Sequence, residues 1–393
     1  MIDFRDHTAS SSMSKRSRRT KLRTRRQTPS DQPTSDLPVL RASSIPDLLG
    51  SVPALLGFHP QRSLVVLTMK GKRIGLRMRV DLPAPAYADA CAHNLMPPLV
   101  DQEPDGVLLV AYVDREPGGE IRGANRLEAD ALVDAMQRRL SEADVEVREA
   151  VCCDGSRYWS YLCDNEECCP SAGSSYEVES TSTMANAVFN GVEVLPDRES
   201  LERRFEPVEG ARHDDMEAAT QQVVEEIAKA HGIFLGGERV ADRYHQGKTA
   251  LLQAGEAYIE PLLADLDPSL AETLDDDMAA RLMVWTRLLA VRDLAWSFIT
   301  DTNARDHLAL WTAVAQRAVS PFEPAPLCLA SFCAWLAGDG AQAACAASRA
   351  TEVAPDYTLA HLITDLLERC VPPTAWQQFE EAMIQAPFAP RTT

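Results

Sequence analysis

Residues 43–83, SSIPDLLGSVPALLGFHPQRSLVVLTMKGKRIGLRMRVDLP, constrain this chain more than any other stretch. Ser43 and Ser44 carry hydroxyl oxygens that can accept from the orphan N–H groups at a helix start, and Pro46 falls in the first turn, where an N–H is not needed. Leu48, Leu49, Val52 and Leu55 give that helix an apolar face, Pro53 is expected to split it in two, and Gly57 to stop it. Residues 64–68 form a leucine and β-branched run, which predicts a buried strand. Lys70-Gly71-Lys72 reads as a turn. Beyond it Ile74, Leu76, Met78, Val80 and Leu82 alternate with Arg77, Arg79 and Asp81, the pattern of a half-solvated antiparallel strand. The stretch therefore predicts a helix, a corner and a β-hairpin.

The same residues resemble a known family. Asp47-Leu48-Leu49, LLGFHP at 55–60, SLVV at 63–66 and RVDLP at 79–83 are similar to the actinobacterial family called domain of unknown function 4192. The resemblance runs over roughly 40–382 and includes Trp159-Ser160-Tyr161-Leu162-Cys163 followed by Cys168-Cys169-Pro170. It identifies relatives and implies no particular reaction.

The rest of the chain divides into an α/β half and an all-α half. Residues 87–99 read as a helix ending at Pro97-Pro98, and 106–113 (GVLLVAYV) as a buried strand. A polar loop follows at 114–123. Residues 124–143 carry Leu127, Ala131, Leu132, Ala135, Met136 and Leu140 on one helical face, and 145–153 form the next strand. That order is a βαβ crossover, so the two strands should be parallel. Asp154-Gly155 is a hairpin turn signal, with 157–163 returning antiparallel. A mixed sheet with helices on its faces is expected. Residues 180–183 can cap a short helix, and 198–205 form a further element. The expected organisation is a disordered basic tail at 1–36, an α/β domain at 37–210 and a helical domain at 211–393. Residues 324–337, 340–353 and 357–370 read as three successive helices that resemble one and a half tetratricopeptide repeats.

Charge limits the partners. Lys plus Arg number 39 and Asp plus Glu 58, a net of −19. Residues 1–36 hold nine basic and four acidic side chains, so the remainder carries −24. An acidic body argues against a general nucleic-acid surface, leaving the basic tail as the one segment suited to nucleic acid or anionic lipid. No apolar run reaches the roughly 18 residues of a membrane helix, and no apolar leader opens the chain. A cytoplasmic protein with mostly reduced cysteines, ten in all, is expected.

The candidate chemistry is sparse. Cys163, Cys168 and Cys169 have zinc-like spacing at its loose end, but a closed site wants four ligands and Cys152 and Cys153 belong at the opposite end of the hairpin. The cluster is therefore expected to be structural, with thiols packed beneath Trp159 and Tyr161 and no metal; a disulfide or redox pair, a metal site and a catalytic thiol are the alternatives. His59, Arg62 and Ser63 stand at a corner where α/β sheets often bind ligands and form a candidate anion site. Gly247-Lys248-Thr249 imitates a phosphate loop, but Asp242 occupies the required glycine position. Asp275-Asp276-Asp277 reads as a capped acidic helix start. Arg292-Asp293 and Arg305-Asp306 are expected to pair with other helices. No cofactor fingerprint is present. The reading is a non-enzymatic module that binds a small molecule or a protein. The alternative is an enzyme with a site joining 57–63 to the Cys163–Cys169 loop.

Overall fold

The computed structural model describes residues 42, 44–114, 124–163, 165–232 and 241–388. The expected basic tail and the polar loop beyond Asp114 lie outside them. Helix α1 spans Ile45–Leu56. It starts at Ser44, whose Oγ accepts from the Asp47 N–H at 3.2 Å. Pro53 does not split it, contrary to expectation. The ring fixes a φ that a helix already uses, and in the last turn only the bond to the Leu49 carbonyl is forgone. Gly57 closes the helix at φ 79, donating its N–H to Pro53 O at 2.8 Å.

Strands β1 (Ser63–Lys70) and β2 (Arg73–Asp81) form the predicted hairpin across Gly71-Lys72. They join β3 (Gly106–Tyr112), β4 (Val147–Cys153), β5 (Arg157–Ser160) and β6 (Ser174–Ser175) in one sheet of order β2-β1-β3-β4-β5-β6. β3 and β4 are parallel, joined through α3 (Ala124–Glu142), as the βαβ pattern requires. Helix α2 spans Ala88–Asp101 and runs on through Pro97 and Pro98 instead of ending there. The carbonyls those prolines leave without a donor belong to His93 and Asn94, which are exposed and open to solvent.

The β4–β5 turn sits one residue later than expected. Asp154 Oδ1 accepts from the N–H groups of Ser156 and Arg157 at 2.9 and 2.7 Å, which fixes Gly155-Ser156 as the turn. Cys153 consequently faces Tyr158, and β5 ends at Ser160, short of Cys163.

Alternation assigns the two faces of the sheet. Leu64, Val66, Leu109 and Ala111 pack with Ala92 and Leu99 of α2 and Leu132, Met136 and Leu140 of α3. Leu127, expected on that apolar face, is exposed. On the other face Val65, Leu67, Leu108, Val110 and Val151 enter a single apolar cluster that extends through α1 into the helical half. β2 breaks its own alternation. Between the pairs Leu67–Arg77 and Met69–Ile74 lies Thr68 on one strand and Gly75-Leu76 on the other, a β-bulge. Ile74 therefore joins the second cluster while Leu76, Met78 and Val80 join the first, a correction to the single face read from sequence.

The helices beyond the sheet are α4 (Ser182–Phe189), α5 (Arg198–Glu202), α6 (Ala211–Ala230), α7 (Ala241–Leu263), α8 (Leu270–Thr273), α9 (Asp276–Thr286), α10 (Leu289–Ser297), α11 (Ala304–Arg317), α12 (Pro324–Leu336), α13 (Gly340–Val353), α14 (Thr358–Glu368) and α15 (Glu381–Gln385). Three of them, α12 to α14, match the helices expected at 324–337, 340–353 and 357–370. An aromatic cluster ties the segment after α14 back onto this half: Trp376 stacks on Trp296 with centroids 5.7 Å apart and meets Phe332 edge-on at 4.8 Å. No helix among the described residues is long and apolar enough to cross a membrane.

Candidate functional site

β2 is an edge strand, and its arginines do not point into open water. The face carrying Arg77 and Arg79, expected to be solvated, meets the helical half across a cleft of about 530 Å³. Arg77 spans that junction. Its Nη1 donates to Leu55 O at 3.0 Å on the α1 side and its Nη2 to Gly338 O at 2.8 Å, between α12 and α13. Burial pulls its pKa below the ordinary arginine value, with Asp339 opposing, and the group stays charged.

Arg79 is the less satisfied of the two. Its Nη2 reaches Asp81 Oδ1 at 2.6 Å and Gln61 O at 3.2 Å. Only 12% of the side chain is exposed, and its Nε is buried with no hydrogen-bond partner among the described residues. A buried charged donor without an acceptor is unfavourable unless something else completes it. Arg198 of α5 adds a third guanidinium, held by Glu202 at 2.8 Å. Three arginines thus line the cleft with Glu368, and each has a carboxylate beside it: Asp81 at Arg79, Glu202 at Arg198 and Asp339 near Arg77.

The α13 N-terminus adds to the lining. Gly340 and Ala341 line the cleft, and their N–H groups donate to no acceptor among the described residues. The first turn of a helix carries partial positive charge. The walls are apolar: Leu55, Phe58 and Met78 from the sheet side, Trp335, Leu367 and Val371 from the helical side. Such a volume, with apolar walls and a few convergent polar groups, has the size and character of a small-molecule site. Among the described residues the lining holds no histidine. Its cysteines are poor nucleophiles at neutral pH: burial pushes Cys345 up to about 11 and raises Cys370.

The residues singled out from sequence lie elsewhere. His59, Arg62 and Ser63 diverge. His59 lines a separate hollow with Met184, Val188 and Phe189 of α4, and no cysteine among the described residues lines it. Arg62 turns to Glu128 of α3 at 3.0 Å and to Asp114 at 3.6 Å, so carboxylates already hold its charge. Ser63 is fully buried, with its Oγ unpartnered. Cys163, Cys168 and Cys169 do converge, with every Sγ within 4.8 Å of the others. The convergence lies near the surface, with Cys168 exposed and Cys163 and Cys169 half-buried.

Other sequence features resolve simply. Gly247-Lys248-Thr249 lies inside α7, where no strand-to-helix loop can cradle a phosphate. Asp275 caps α9 by accepting from the Met278 N–H at 2.8 Å. Arg292 folds back on Asp293 at 2.6 Å and also reaches Tyr357 Oη at 3.0 Å. The adjacent charges thus pair with each other, which their expected pairing with other helices missed, because a long arginine can curl around its own turn. The cleft itself escaped sequence reading because its covering wall is distant. Arg77 and Gly338 are 261 residues apart. The one available signal was arginine at alternate positions of a strand otherwise rich in apolar residues.

Fold and cleft together define a class: an α/β sheet and a helical half that share an apolar core and enclose an arginine-lined cleft. A family model described as Domain of unknown function (DUF4192) matches residues 46–374, and the chain belongs to that family. No curated protein and no solved structure matches it.

Proposed function

We propose that this protein is a binding module for a small organic anion with an apolar body, seated in the cleft between β2 and helices α12 to α14. The observation that carries the reading is Arg79, a nearly buried guanidinium on the cleft lining whose Nε has no partner among the described residues, across from a largely apolar wall. A carboxylate, sulfonate or phosphate ester would complete Arg79 and sit near Arg198 and the α13 N-terminus. The apolar body would lie against Trp335, Leu367 and Val371. Binding in place of catalysis is favoured by the lining itself, which among the described residues offers no histidine base and whose thiols are raised by burial.

The probe is 8-anilinonaphthalene-1-sulfonate, an apolar aromatic body with one fixed negative charge. Titrated into the full chain it is expected to bind at one saturable site. Arg79→Met, which keeps the stem and removes the charge, is expected to weaken binding at least about tenfold, or roughly 1.4 kcal/mol, with little change in melting temperature. Equal affinity in the variant would refute the site.

A further inference from the structure

Cys163, Cys168 and Cys169 sit at the other end of the sheet from the cleft, beyond β5, and nothing about the cleft depends on them. Among the described residues they form the one group of three or more histidine, cysteine or acidic side chains placed to hold an ion. We propose that this triad is a zinc site with three thiolate ligands and a fourth position left to water or an outside donor.

The argument begins with what holds the sulfurs together. Asn165 O accepts from the N–H groups of Cys168 and Cys169 at 3.2 and 2.7 Å, and Asn165 Oδ1 accepts from the Glu167 N–H at 2.9 Å. That turn brings two neighbouring cysteines back onto Cys163. The loop beyond Pro170 is pinned in turn by Trp159, whose Nε1 donates to Ser171 O at 3.2 Å. The backbone thus positions a triangle of sulfurs.

Apolar packing does not explain the triangle. Cys152, Cys153, Cys328, Cys333 and Cys345 belong to the buried core, whereas none of these three does. A disulfide accounts for two of the three sulfurs and not for the third, which lies within 4.8 Å of both. Metal geometry accounts for all three. Zinc–sulfur bonds of about 2.3 Å at tetrahedral angles place sulfurs about 3.8 Å apart. The observed Cys163–Cys168 separation of 3.3 Å and the 4.8 Å bound on all pairs bracket that value.

Three protein ligands fall one short of a closed structural site, which is the pattern of zinc centres that keep an open position.

The test uses the full chain, purified under reducing conditions without chelator. Elemental analysis is expected to find about one zinc per chain. Stripped protein titrated with Co2+ alone is expected to develop a sulfur-to-cobalt charge-transfer band, and added Zn2+ should bleach it. Cys163→Ser, Cys168→Ser and Cys169→Ser should each weaken Co2+ binding at least tenfold, while Cys91→Ser, in α2, should leave it unchanged. Melting temperatures measured with chelator present should match among all four variants and the parent, so that lost binding is not lost folding. A reduced chain that takes up neither ion, or uptake that survives Cys168→Ser, would overturn the proposal. Should the reduced chain fail to bind and the oxidised chain carry a Cys163–Cys168 disulfide, the triad would be a redox pair with a spare thiol.

Discussion

Arg77 and Arg79 stand two residues apart on one strand face, and their surroundings give them different work. Arg77 has both ends of its guanidinium on carbonyls, so it fastens the α1 side to the α12–α13 turn. Arg77→Met is expected to destabilise the fold by about 2–3 kcal/mol, because two carbonyls lose a charged donor. Urea unfolding would read this as a lower midpoint with little change in slope. Arg79 has a donor to spare, so its replacement should act on binding and not on stability. His307 behaves differently again. It is fully buried in α11 with neither ring nitrogen hydrogen-bonded, and burial pulls it down to about 4. The unfolded imidazole titrates near about 6.5, so between those values the unfolded chain binds more protons than the folded one. Stability should therefore fall as pH drops from about 6.5 towards 4, by up to about 3 kcal/mol. His307→Leu should flatten that part of the profile. Urea midpoints at pH 7 and pH 5 for both proteins check the sign, and an equal pH dependence would show that His307 does not contribute.

At the scale of elements, the β2 bulge decides which side chains face the cleft. Without it, Ile74 would share a face with Leu76 and Met78. Thr68 clips the bulge by accepting the Leu76 N–H on its Oγ1 at 2.7 Å. Gly75 is required beside it, because a Cβ there would stand 2.9 Å from that oxygen. Thr68→Val keeps the shape and removes the acceptor, and about 1–2 kcal/mol of destabilisation is expected in urea unfolding. The segment after α14 rests on aromatic contact. Trp376→Ala, half-buried in the cluster with Trp296 and Phe332, is expected to lower stability by about 2 kcal/mol. Elements were the scale most legible in sequence: the hairpin, the βαβ crossover and α12 to α14 were all written in local periodicity and turn residues. What local signals did not carry was how prolines behave late in a helix, as at Pro53 and Pro97-Pro98, and where a turn settles when an aspartate can accept from either register, as at Asp154.

For the molecule as a whole, the division into a mixed sheet and a helical half followed from pattern alone, whereas the cleft did not. Alternation places Arg77 and Arg79 opposite Leu76 and Met78, and it cannot say what lies over the arginine face. That is decided by α12 to α14, more than 250 residues away, through contacts no short window contains. The same limit applies to His59, Arg62 and Ser63. Adjacent in sequence, they turn to α4, to α3 and to the core. The cysteine triad is the opposite case, since three ligands within seven residues come together through one local turn. The central claim is that the cleft exists to hold an organic anion on Arg79. Native mass spectrometry of the full chain, after incubation with a cellular metabolite extract and removal of unbound material, tests it most directly. The expected result is a single small-molecule adduct that carries an acidic group, is present on the parent protein and is strongly reduced on Arg79→Met. An adduct retained equally by Arg79→Met, or no adduct on the parent, would contradict it.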